Sequence, residues 1–148
     1  MARPRIVRAP VESAQEALGA LAPGGRVVGL TKGQFSLIDL VLAVLDQTGP
    51  AELDVSTWVA GADDLDTLRA WRASGKVSRL RLIVGQGFAK LMDAEGADHG
   101  DQRRVAAAKR LPPEDVRAAR SHAKFAVIWG TDMSVLITSS GNFNRNDR

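Results

Sequence analysis

Apolar and polar positions recur along this chain with periods that switch several times. Leu37 to Gln47, LIDLVLAVLDQ, is apolar on almost every side, which predicts a buried helix. Ser36 stands where an N-cap belongs, and Gly49-Pro50 stops the run. Glu52 to Ala60, ELDVSTWVA, alternates and carries Val, Thr and Trp, so it predicts a strand. Asp63 caps a helix through Ser74, with Leu65, Leu68 and Trp71 on one face and Gly75 placed to close it. Val77 to Val84, VSRLRLIV, predicts another strand, and Gln86 to Met92 a short helix. Upstream, Arg26 to Thr31 reads as a short strand and Val11 to Leu21 as a short helix.

Strand, helix, strand, helix, strand is the pattern of βαβ units. It predicts an α/β domain whose sheet carries helices on both faces. Residues 1–10, with two prolines and three arginines, read as a basic arm. Asp93 to Asp101 is rich in Gly and Asp and predicts a loop. Gln102 to Arg110 and Pro113 to Arg120 read as short basic helical pieces. The length suits one domain spanning residues 1–148, and no internal repeat is present.

The last stretch, Ser121 to Asn146, predicts a hairpin. His122 to Trp129 and Met133 to Ser139 are the strands, and Gly130, Thr131 and Asp132 turn between them. Centring the turn near Thr131 pairs residues whose numbers sum to about 262, give or take one. That sets His122 opposite Ser140 and Lys124 opposite Thr138, with His122 and Lys124 on one face. Asn142 follows where FNRNDR can begin a helix, and helix N-terminal amides bind anions. An imidazole, an ammonium, hydroxyls and an amide then gather at one end, which equips that end to hold a phosphate and attack it.

These residues resemble the signature of the phospholipase D superfamily, H-x-K-x4-D-x6-G-S-x-N. His122 and Lys124 match its H and K, and Ser140 and Asn142 its S and N. Ser139 stands where Gly is usual, and Trp129 stands at the aspartate position. Position 129 is roughly 23 Å from His122 along a strand rising about 3.3 Å per residue, so a group there shapes the turn and not the chemistry. The tyrosyl-DNA phosphodiesterase branch of the superfamily also lacks this aspartate. The wording HAKF…SSGNFNRN is similar as well to phospholipase D-like proteins of phages and prophages.

The resemblance implies a phospholipase D-like mixed sheet ending in the motif-bearing hairpin. It implies a phosphodiesterase acting on nucleic acid through a phosphohistidine, with catalytic residues His122, Lys124 and Asn142 and phosphate contacts from Ser139 and Ser140. With one motif per chain, two copies of His122 have to meet in a homodimer. The competing expectation is a degenerate domain that binds nucleic acid or a partner protein without chemistry. Superfamily domains usually continue further past this motif than the six residues after Asn142, so either the chain is a fragment or its sheet is short.

Composition narrows the field. There is no Cys, which removes disulfides, thiol chemistry and Cys-zinc sites. Only two His are present, and the acids cluster at helix starts, so neither a metal nor a cofactor is expected. No apolar run follows MARPRIVR and none approaches a membrane span, so a cytoplasmic protein without membrane contact is expected. Net charge is +3, and from His99 onward nine Lys or Arg face five Asp or Glu. That basic half carries the motif, which suits a polyanion. His99 reads as an exposed loop residue, Lys32 as a weak candidate for the site, and Trp58, Trp71 and Trp129 as packing residues.

Overall fold

A computed structural model describes residues 4–7, 11–29, 34–93, 99–141 and 143. The elements in order are β1 (Arg5–Val7), α1 (Ala14–Leu18), β2 (Val27–Gly29), α2 (Leu37–Thr48), β3 (Ala51–Thr57), α3 (Ala62–Ala73), β4 (Val77–Gly85), α4 (Gln86–Asp93), α5 (His99–Lys109), β5 (Val116–Ala119), β6 (Phe125–Trp129) and β7 (Ser134–Thr138). A 3-10 turn over Pro113–Asp115 precedes β5. Five strands form one mixed sheet in the order β5-β4-β3-β6-β7. β3, β4 and β5 run parallel, while β6 is antiparallel to both β3 and β7. The architecture is therefore mixed α/β.

Local chemistry explains most boundaries. The Ser36 hydroxyl accepts from the Asp39 amide while the Asp39 carboxylate accepts from the Ser36 amide at 2.8 Å. This capping box satisfies two otherwise orphan donors at the start of α2. Gly49 at φ 70 ends that helix in a conformation L side chains rarely adopt. α3 begins one residue before the expected Asp63 cap, behind Gly61, which makes no side-chain cap bond.

Two segments differ from the sequence reading. Arg5–Val7 is not part of a free arm but a strand parallel to β2, a pair set apart from the main sheet. Val116–Ala119 is not helical: it pairs with Leu82–Gly85 as an edge strand. The 3-10 turn over Pro113–Asp115 ends before Val116, where the open edge of β4 recruits the chain. Helix α5 starts at His99, so part of the expected loop is helical; residues 94–98 lie outside the described ones.

The core occupies one face of the sheet. Leu53, Val55, Leu80, Leu82, Ala126, Ile128 and Ile137 are buried against Ile38, Val41, Val44, Leu45, Leu65 and Leu68 of α2 and α3. The opposite face carries half-exposed Glu52, Arg79 and Arg81, with Trp129 48% and Leu136 65% exposed. Among the described residues, then, the expected helices on both faces are replaced by helices on one. The physical reason is the direction of the crossovers. β3, β4 and β5 step the same way across the sheet, so right-handed connections put their helices on the same side. The reversal is made by the β6–β7 hairpin, which brings no helix.

On the open face Asp54 is held by both nitrogens of one edge of Arg81, Nε to Oδ1 and Nη2 to Oδ2, each at 3.0 Å. The Trp129 indole N–H donates to the same carboxylate at 3.2 Å. Trp129 thus ties the hairpin to β3.

Candidate functional site

Three chain segments meet at the C-terminal end of β3. β6 runs antiparallel to β3, so its start lies beside that end, and β7 returns its own end to the same place. In sheets with parallel strands, the crevice beyond the strand carboxyl ends is where ligands bind. The hairpin register sums to 263, from Phe125↔Thr138 to Trp129↔Ser134. This lies at the edge of the expected range and sets Lys124 opposite Ser139, whose amide donates to the Lys124 carbonyl at 3.0 Å.

The first ladder residue of β6 is Phe125, three residues later than expected. His122 and Lys124 therefore precede the strand, and strand alternation does not set their directions. β3 explains the early end. Its last ladder partner is Ser56, paired with Phe125, after which the chain bends at Trp58.

Three consecutive β3-end residues hold the site, and the sequence reading assigned none of them to it. The Ser56 hydroxyl, 2% exposed, donates to the Ala123 carbonyl at 2.9 Å, between His122 and Lys124. The Thr57 hydroxyl accepts from the Phe143 amide at 2.9 Å and donates to the Val59 carbonyl at 2.7 Å. The Trp58 ring stacks on the His122 imidazole, with centroids 3.8 Å apart and planes 12° off parallel. One pair of hydroxyls thereby anchors both halves of the motif, and the tryptophan engages its histidine. The available signal was Ser-Thr followed by Trp at the close of an alternating strand.

The remaining site residues fall as follows. His122 and Ser140 are exposed, while Lys124 and Ser139 are half-buried. The Ser139 hydroxyl accepts from the Gly141 amide at 3.0 Å, which shapes the turn after β7. Asn142 and residues 144–148, including the expected helix start, lie outside the described residues, as does Lys32. Phe143 is fully buried and makes a parallel bridge to Ala60, which carries the segment back across the end of β3.

Cations near this end are partly engaged. Arg120 Nε donates to the Gln86 side-chain oxygen at 3.2 Å, at the start of α4. Arg103 pairs with Asp63 at 2.7 Å on the exposed surface. Arg117 donates to the Val116 and Pro113 carbonyls at 2.8 and 3.3 Å. Arg103 Nη2 and Arg117 Nη1 thus already have partners within the chain.

A cavity of about 550 Å³ lies elsewhere, between β7, the β1–β2 pair and α1. It is lined by apolar residues such as Val11, Leu18, Leu21, Phe35 and Leu40, and by neither His122 nor Lys124. Its lining also includes Arg5, Arg26, Ser134 and Thr138. Among the described residues, no three His, Asp or Glu side chains are grouped to hold a metal, and no helix is long and apolar enough to cross a membrane. The chain matches no family model, no curated protein and no solved structure.

Proposed function

We propose that the chain is a phospholipase D-like phosphodiesterase acting on nucleic acid. The observation that carries the reading is the convergence of His122, Lys124, Ser139–Gly141 and Phe143 at the carboxyl end of β3, held there by Ser56 and Thr57. In this reading a His122 nitrogen forms a bond to phosphorus as the ester P–O bond breaks. The Lys124 ammonium and the Asn142 amide hold the non-bridging oxygens, where charge accumulates. Water then cleaves the P–N bond and frees the histidine. The exposure of His122 and Ser140 on an open surface suits a long polymer better than an enclosed small molecule.

The leaving oxygen needs a proton from a second acid. His122 of a second copy supplies it if a two-fold axis passes beside the motif. An equimolar mixture of wild type and His122→Ala should then lose activity beyond simple dilution, because mixed dimers hold one histidine. Activity that scales linearly with the wild-type fraction would sink the dimer.

The direct test is hydrolysis of bis-p-nitrophenyl phosphate in EDTA. Turnover should persist under chelation, because the chemistry runs on histidine. Loss in EDTA that Mg²⁺ restores would overturn the proposed reaction. The same preparation separates the competing reading, a domain that binds without chemistry, which Trp129 in the motif-aspartate position favours. No hydrolysis, together with DNA binding that falls steeply with salt, would select that reading.

A further inference from the structure

We propose that Trp58 is the positioning residue for His122, fixing the plane of the imidazole by stacking against it. The catalytic consequence rests on the phosphodiesterase reading above; the orienting role stands on geometry alone. With centroids at 3.8 Å and planes at 12°, the rings overlap face to face. A histidine in the stretch before β6, exposed and outside the ladder, has two side-chain torsions to restrain. The stack restrains both, because either rotation would pull the rings apart.

The indole is itself held in place. A Cβ at Gly85 would sit 2.7 Å from Trp58 Cε3 and 3.0 Å from Cζ3, so the ring lies directly against the glycine backbone. The Gly85 amide also donates to the Trp58 carbonyl at 3.3 Å. Gly85 is the last residue of β4, beside Thr57 at the end of β3. From the other side, Ser56 fixes the carbonyl of Ala123, next to His122. A rigid sheet end therefore sets the indole, and the indole sets the imidazole.

This placement matters because an imidazole attacks through the lone pair of a nitrogen lying in the ring plane. Fixing that plane confines the direction of attack, and it leaves the ring face opposite Trp58 clear of the indole. A histidine is often oriented by a hydrogen-bonded carboxylate; here an aromatic surface takes that part. The Gly85 requirement is a steric consequence of the same arrangement and not of turn geometry.

The test is imidazole NMR. The chain has two histidines, so the His122 signals are identified by their loss in His122→Ala. Over an indole face these protons should be displaced upfield of the His99 signals, and the ring should relax as part of the rigid molecule. Trp58→Ala should move the signals towards free-histidine values and add nanosecond ring motion. Gly85→Ala should do the same by pushing the indole away, and Trp58→Phe should retain part of the displacement. If the wild type hydrolyses bis-p-nitrophenyl phosphate, Trp58→Ala should lower kcat by about 10²-fold with little change in KM, since misplacement by about 1 Å carries that penalty. Trp58→Phe should recover much of it. Unchanged His122 signals and ring motion in a folded Trp58→Ala would overturn the proposal whatever the activity. Altered ring motion with an unchanged kcat would reduce the stack to packing. An inactive wild type with the expected NMR response would count against the phosphodiesterase reading and leave the orienting role established.

Discussion

On the proposed phosphodiesterase reading, replacing His122 with alanine should remove phosphodiester hydrolysis, by about 10⁴-fold or more, because general acid–base transfer alone is worth about 10²–10⁴ and the nucleophile is lost with it. The effect is compounded if each active site uses the histidine of both copies. Stability should barely move. His122 is exposed, lies outside the β6 ladder and touches Trp58 only through its ring face. Surface changes of this kind stay within about 0.5 kcal/mol. Thermal unfolding of the variant should therefore overlay the wild type while turnover of bis-p-nitrophenyl phosphate disappears. Lys124→Ala should cost less, about 10²–10³ in kcat, as expected for one donor to a developing charge. A His122→Ala protein that keeps full activity would end the phospholipase D-like reading, whatever the status of Lys124.

Phe143→Ala should destabilise the fold by about 3–5 kcal/mol. For a chain of this length that lowers the melting temperature by roughly 10–20 °C. Among the described residues Phe143 is the largest of the fully buried side chains, and it follows the turn that the Ser139 hydroxyl makes with the Gly141 amide. It reaches the core because its amide donates to the Thr57 hydroxyl and its backbone bridges Ala60. Burying the ring draws Ser139 to Gly141 towards the end of β3. The variant should accordingly lose activity at temperatures where it is still folded, since the segment that follows Ser139 loses its anchor. Phe143→Leu should fall between the two, and Thr57→Val should reproduce part of the functional loss by deleting the hydroxyl. A Phe143→Ala protein with an unchanged melting temperature would show that the ring is not seated in the core in solution.

Much of the architecture was legible in local pattern. The buried helix at Leu37–Thr48, the strands at Ala51–Thr57 and Val77–Gly85, and the final hairpin follow from period, capping and turn residues. Ser36 with Asp39 forms a cap that needs only four residues to specify. VSRLRLIV also carried more than was read from it. Arg79 and Arg81 alternate with Leu80 and Leu82, which announces one buried face and one solvated face rather than burial on both.

By itself, the sequence determined the elements whose stability is local and the spacing of His122, Lys124, Ser140 and Asn142 along the hairpin. Tertiary structure decided everything that depends on a partner distant in the chain. Val116–Ala119 is a strand because β4 offers an unpaired edge, not because VRAA prefers one. Arg5–Val7 is a strand because β2 lies alongside it. His122 falls outside β6 because β3 ends its pairing at Ser56, 69 positions before Phe125. Ser56, Thr57 and Trp58 belong to the site only because β3 and β6 are antiparallel neighbours, which sets the end of one beside the beginning of the other. A hydroxyl or an indole has no directional signature in sequence. Its role is set by which backbone or ring the fold brings within about 3–4 Å of it, and that is a property of the assembled sheet.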